Sequence, residues 1–337
     1  MPAMANLQAK YMNIELKNPV IAGASELSSH MSSIKKLEDA GVGALVIKSL
    51  FEEQIQLEKA RFEEEQRQYD GINAEMTSIY PTMEHSGPEE HLMWVCKAKE
   101  SVSIPVIASL NAINADTWVE WAKNLENTGI DGIELNFFAN PELQEGEGSV
   151  IEKDQVSVVA EVVKNVEIPV SIKMSLFYTA PLSVAKSFER AGAKGLVLFN
   201  RFFQPDIDVE TETALIPLNL STSTANRLPL RYAGLLFGET SADLCASSGI
   251  MDGLDVAKMI LAGADVVQVV STLYRNKITQ TGRIVDELSR WMDEKGYVNL
   301  EDFRGKMSRK NSTDPWAYKR AQYAKLLMKP DPMKIIR

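Results

Sequence analysis

The chain has 337 residues, of which 45% are hydrophobic and 24% charged, and its formal net charge is −10. That acidity argues against nucleic-acid binding and against docking on an anionic membrane, and no apolar run approaches the ~20 residues that span a bilayer. The N-terminal MPAMANLQAKYMNIELKNP lacks the basic and apolar regions of a signal peptide, and two cysteines, Cys96 and Cys245, make no disulfide framework, so the expected location is the cytoplasm.

The first strand is expected over Asn18–Ala24 (NPVIAGA) and the second near 44–49. Residues 51–103 then interrupt the rhythm with an acidic run whose Glu–Lys and Glu–Arg spacings suit a solvated helix. Strands follow near 105–110 and 132–137, then near 169–174 and 195–200. Pro105 and Pro169 open two of these, a place where proline is tolerated. A second long connection covers 201–230, where LNLSTSTANRLP shows no periodicity. The last pair of strands is expected near 243–248 and 266–271, joined by a helix from about Asp252 to Leu261. The closing residues, from about 312 to 337, read as an amphipathic helical tail that covers the barrel or a partner subunit.

One junction recurs as EDAGVGALVIKSL, ENTGIDGIELNF, ERAGAKGLVLFN and ILAGADVVQVVS. Gly41, Gly129, Gly192 and Gly263 each stand where a helix ends in a positive φ before a buried strand. Eight apolar strands alternating with helices predict a single α/β domain, a (β/α)8 TIM barrel with inserted loops at its C-terminal face. An open doubly wound sheet is the alternative, although the first βα turn has no GxGxxG.

The last two strands finish in small residues, Ser248-Gly249 and Ser271-Thr272. Small residues let backbone N–H groups approach an anion, and the phosphate site of a barrel often follows strands seven and eight. Four polar side chains interrupt or end apolar strands: Lys48, Asn136, Lys173 and Asn200. A lysine there is poorly solvated unless it meets an anion or several acceptors, so the set reads as a polar ring at the barrel mouth. Taken singly, each lysine also fits a barrel-end salt bridge and each asparagine a loop-backbone contact. The three histidines, His30, His85 and His91, make no metal-ligand spacing, and no metal is expected.

From NPVIAGAS to MDEKGYVNLEDFRGK, roughly residues 13–309, the chain resembles the class 1 dihydroorotate dehydrogenases, FMN-dependent barrels of pyrimidine biosynthesis. The resemblance implies that Gly23 and Ala24 pack under the flavin and that Lys48 contacts flavin close to substrate. It implies that Lys173 reaches the flavin N1–C2 carbonyl edge and that Asn200 lies at the flavin and substrate edge. Ser248, Gly249, Ser271 and Thr272 then stand where the FMN phosphate is held. The catalytic set is Lys48, Asn136 and Lys173, and the expected assembly is a homodimer.

The family's strand-four motif N-L-S-C-P-N is Asn136-Phe137-Phe138-Ala139-Asn140-Pro141 in this chain. Ala139 occupies the position of the cysteine base, and Pro141 replaces a substrate-binding asparagine. TSIYPTMEHSGP (77–88) replaces the loop whose asparagine holds orotate. Asn140 is a poor base, and Tyr178 or His85 could serve only if a loop folds in. The cofactor half of the pattern is kept and the dihydroorotate half is changed. An FMN-dependent oxidoreductase acting on a small molecule, with an altered substrate, is the first reading. The alternatives are a non-catalytic or regulatory FMN-binding barrel and an aldolase using Lys173 as a Schiff base.

Overall fold

A computed structural model describes residues 5–56, 88–137, 147–202, 204–215, 219–313, 318 and 328. Eight parallel strands close a barrel: β3 (Val20–Ala22), β4 (Ala44–Phe51), β5 (Val106–Asn111), β6 (Gly132–Asn136), β7 (Val170–Lys173), β8 (Gly195–Leu198), β11 (Asp243–Ser247) and β12 (Val266–Val269). They pair in chain order, and β12 returns to β3 through Val267 opposite Val20. The expected barrel is therefore closed, and the open sheet is excluded. Six of these strands are buried along their whole length, as both faces of a barrel wall demand.

Helices cover the outside: α1 (Met31–Asp39), α2 (Pro88–Ser101), α3 (Ala115–Glu126), α4 (Gly148–Asn165), α5 (Pro181–Arg190), α6 (Arg227–Leu236), α7 (Gly253–Ala262), the short α8 (Ser271–Asn276) and α9 (Gln280–Lys295). Their local signals match their bounds. Pro181 opens α5, where its missing N–H is not needed. Asp252 caps α7 by accepting from the Asp255 N–H at 2.8 Å. Gly41, Gly129, Gly192 and Gly263 have φ of 95°, 81°, 105° and 128°, so each of the four expected helix ends is a positive-φ turn.

The two ends of the barrel differ. A hairpin of β1 (Ala9–Tyr11) and β2 (Ile14–Leu16) closes the N-terminal end. The Met12 N–H donates to Asp243 at the foot of β11 (2.7 Å), and the Tyr11 ring fills the space beside Gly195 at the foot of β8. Tyr11 and Met12 are each 1% exposed, so this end is sealed. Among the described residues the barrel interior therefore opens at the other end, where β4 and the βα loops carry polar residues.

The connection after β8 holds a second hairpin, β9 (Asp206–Asp208) with β10 (Thr213–Leu215), projecting into solvent. Tyr318 of the C-terminal tail packs over Gly234 of α6, and its hydroxyl donates to the Met307 carbonyl at 2.6 Å. The helical character expected of the tail, and of the acidic run at 57–87, lies outside the described residues. No described helix is long and apolar enough to cross a membrane.

Candidate active site

A cavity of about 380 Å³ opens at the C-terminal end of the barrel. That size falls in the ~300–1,000 Å³ range of small-molecule and cofactor pockets. Ala24, Lys48, Asn136, Lys173, Asn200, Ser248, Gly249 and Ser271 all line it. Residues from seven separate loops and strands thus converge on one space.

Lys48 reaches the cavity through an irregularity in β4. The pairing of β4 with β5 shifts between Ile47 and Leu50, so both Lys48 and Ser49 face the site. Bulges of this kind re-aim side chains beside active sites. The Lys48 amine is ion-paired with Glu26, which also lines the cavity. The hydrogen bond from Lys48 holds the Glu26 carboxyl below its ordinary range. Ser49 is fixed to Ser109 by a 2.7 Å hydroxyl contact.

Lys173 stands at the cavity floor. Its amine lies 3.3 Å from Glu134 Oε1 and 3.5 Å from Gln268 Oε1. Gln268 in turn donates through Nε2 to Glu134 Oε2, closing a three-residue ring. Glu134 and Gln268 are 1% and 2% exposed. An ammonium group has three donors, and two are directed at these acceptors, which leaves one for an occupant of the cavity. The same ring supplies the counter-charge that a buried lysine requires. Beneath it, burial pushes the Cys245 thiol well above its ordinary pKa, and the Glu134 carboxylate adds to the effect. Cys245 is thus an inert core residue.

Asn136 and Asn200 meet above Lys173. Asn200 Nδ2 donates to Asn136 Oδ1 at 2.8 Å, and the Asn200 N–H donates to the Met174 carbonyl at 2.8 Å. Asn136 and Lys173 are register partners on adjacent strands. The two asparagines therefore hold each other as well as facing the cavity.

The opposite wall is made of small polar groups. Ser271 Oγ accepts from the Ser221 N–H (2.9 Å) and from Ser221 Oγ (2.8 Å), and the Gly249 N–H donates to Ser221 Oγ at 3.1 Å. Ser248 and Gly249 have φ of 80° and 74°. A Cβ on Gly249 would meet the Thr222 carbonyl at 2.8 Å and the Asn226 backbone nitrogen closer still. Only glycine fits this close crossing of two loops.

Two of the residues expected at the cofactor lie behind the cavity lining. Gly23 is packed against Val270, where a Cβ would sit 2.8 Å from Cγ2. Thr272 is fully buried, and its hydroxyl donates to the Met251 carbonyl at 3.1 Å. Tyr178 is also elsewhere: it packs on Phe188 and donates to Gln155 at 2.8 Å, and burial raises its phenol pKa. His85, Ala139, Asn140, Pro141 and most of the 77–88 loop lie outside the described residues. His91, at the start of α2, is driven down to about 4 by burial and then by the charge of Lys48.

The sequence reading missed Glu134, Gln268, Ser221, Glu26 and Arg201. Glu134 lies two residues before Asn136 and so shares its barrel-interior face, a signal the period-two rule makes available. Gln268 was the polar interruption of VVQVV. Ser221 sits in an aperiodic stretch and gave no such signal.

A model of the family described as dihydroorotate dehydrogenase matches residues 6–292. The chain belongs to the dihydroorotate dehydrogenase family. Over 226 residues it is 30% identical to an Aeropyrum pernix protein provisionally named dihydroorotate dehydrogenase A (fumarate), covering 65% of this chain and 72% of that one. It is 27% identical over 315 residues to the protein named dihydroorotate dehydrogenase B (NAD(+)), catalytic subunit, of Thermoplasma volcanium, covering 90% and 98%. It is 24% identical over 319 residues to the dihydroorotate dehydrogenase A (fumarate) of Lactobacillus helveticus, covering 90% and 99%. The chain is thus an oxidoreductase-type barrel similar to members of both the A and the B kinds.

Proposed function

We propose that this protein binds FMN in the C-terminal cavity and is an FMN-dependent oxidoreductase whose substrate differs from dihydroorotate. The observation that carries the reading is the convergence of Lys48, Asn136, Lys173, Asn200, Ser248, Gly249 and Ser271 on one cavity. Its donor set suits a flavin nucleotide: hydroxyl groups and backbone turns at one end, a lysine at the centre, and two amides beside it. FMN, when bound, supplies the two-electron acceptor for hydride transfer.

The chain's own groups do the remaining work in this reading. Ser248, Gly249 and Ser271 form the phosphate end, and Ser221 fixes them in place. Lys173, held by Glu134 and Gln268, presents a positive charge toward the ring system. Asn136 and Asn200 orient the face at which substrate docks. Gly23 and Thr272 act from behind the lining, keeping the floor close and anchoring α8.

Oxidation of dihydroorotate also requires a base for the second proton, and such a base is worth ~10²–10⁴ in rate. Ala139 cannot accept a proton, and Tyr178 is engaged with Gln155 away from the cavity. This favours a substrate other than dihydroorotate, and it keeps a non-catalytic FMN-binding barrel as the second reading. Anaerobic mixing of the purified protein with dihydroorotate, followed at the flavin absorption band, tests the point. Slow or absent bleaching is expected, whereas rapid bleaching would show that another residue supplies the base.

A further inference from the structure

Arg201 follows Asn200 directly and lines the cavity. Its backbone is held on both sides. Asn200 is tied to Met174 and Asn136, and Phe202 packs on Phe177 with ring centroids 4.9 Å apart. Yet the Arg201 side chain is exposed and makes no hydrogen bond or ion pair among the described residues. The other two cavity cations are matched: Lys48 by Glu26, and Lys173 by Glu134. Arg201 is therefore the cavity cation left without a counter-ion among the described residues. This excess stands in a chain of net charge −10, so the cavity runs against the sign of the whole protein. A cleft lined by one sign of charge concentrates ligands of the other sign.

We propose that Arg201 is the specificity-determining residue of the site and that it holds a carboxylate of the substrate. The proposal rests on the oxidoreductase reading and adds a residue to it. Lys48 is occupied by Glu26, so the task of reading an anionic group passes to the side chain at the end of β8. A guanidinium suits that task because its planar fork meets a carboxylate through two parallel hydrogen bonds. A pinned backbone on either side lowers the ordering entropy on binding.

Isothermal titration calorimetry on the full-length purified protein tests this with two matched pairs of probes: orotate against uracil, and fumarate against fumaramide. Each pair differs by its carboxylates. In the natural protein the carboxylate member of at least one pair should bind tenfold or more tightly than its neutral partner. Arg201→Gln should abolish that preference, and Arg201→Lys should keep part of it, since the charge survives but the fork does not. Arg201 is exposed, so both variants should retain the unfolding temperature of the natural protein. Equal binding within both pairs, or an undiminished preference in Arg201→Gln, would overturn the assignment. The flavin content of the same samples reports separately on the oxidoreductase reading, so failure of one is distinguishable from failure of the other.

Discussion

Two sets of residues around the cavity are built on opposite principles. The wall of Ser221, Ser248, Gly249 and Ser271 uses small groups that bond to one another, with distances of 2.8–3.1 Å and two successive residues at positive φ. A second set, Glu26 and Lys48 at β3 and β4 and Arg201 after β8 on the far side of the barrel, uses long charged side chains, two of them paired and one without a partner among the described residues. The first has little freedom to change, because a single Cβ at Gly249 collides with backbone. The second can change one residue at a time without disturbing the strands. A site divided in this way can keep its cofactor while its substrate drifts.

The largest expected effect tests the rigid wall. Gly249→Val introduces a branched side chain at φ 74° against the Thr222 carbonyl and the Asn226 backbone nitrogen. The purified variant should carry less than about a tenth of the natural flavin content, a tenfold loss of affinity corresponding to ~1.4 kcal/mol. Stoichiometric flavin in that variant would remove the phosphate assignment from this wall.

A gain of function probes the missing base. Ala139→Cys restores a group able to accept a proton, and dihydroorotate-dependent flavin reduction should rise by up to ~10²-fold. Pro141 and the 77–88 loop also depart from the orotate pattern, so a rise at the lower end of that range fits the account. No rise at all, with dihydroorotate shown to bind, would place the deficiency elsewhere.

Lys173 stands at the cavity floor with Glu134 and Gln268. Lys173→Ala removes the cation from the floor and leaves the buried Glu134 carboxylate without its partner. The flavin midpoint potential should fall, because a positive charge beside the ring favours the reduced state. Breaking a buried ion pair by removing one member costs about 3–5 kcal/mol, so the unfolding temperature should drop as well. A drop in stability with an unchanged potential would make Lys173 a structural residue distant from the ring.

The smallest effect belongs to Glu26. Its carboxyl is held below the ordinary range by Lys48, so the pair contributes stability above the unfolded carboxyl pKa. That contribution is lost as pH falls through the lowered folded value. Glu26→Gln should therefore be slightly less stable than the natural protein at pH 7, by under about 1 kcal/mol given its exposure. The difference should shrink as pH falls below the ordinary carboxyl pKa of about 4.3 and vanish only below the lowered folded value. Denaturant titrations at neutral and acid pH measure it.

Much of the fold was legible in the sequence because it repeats. Four helix–glycine–strand junctions announce parallel strands, and each of Gly41, Gly129, Gly192 and Gly263 has the positive φ that its place requires. Lys48, Asn136, Lys173 and Asn200 stood out as polar residues in apolar strands, and the cavity gathers all four. What escaped notice depends on barrel closure. Glu134 and Lys173 share the paired strands β6 and β7, but Gln268 on β12 joins them only across the closed barrel. Ser221 escaped for a different reason, since its loop has no period to read. The Glu26–Lys48 pair required the irregularity in β4, which a strand pattern does not reveal.

The central claim is that the cavity holds FMN, and a visible spectrum of the purified protein with identification of the released chromophore tests it most directly. The account predicts a yellow protein carrying close to one FMN per chain. A colourless protein that also fails to take up FMN on titration would contradict it.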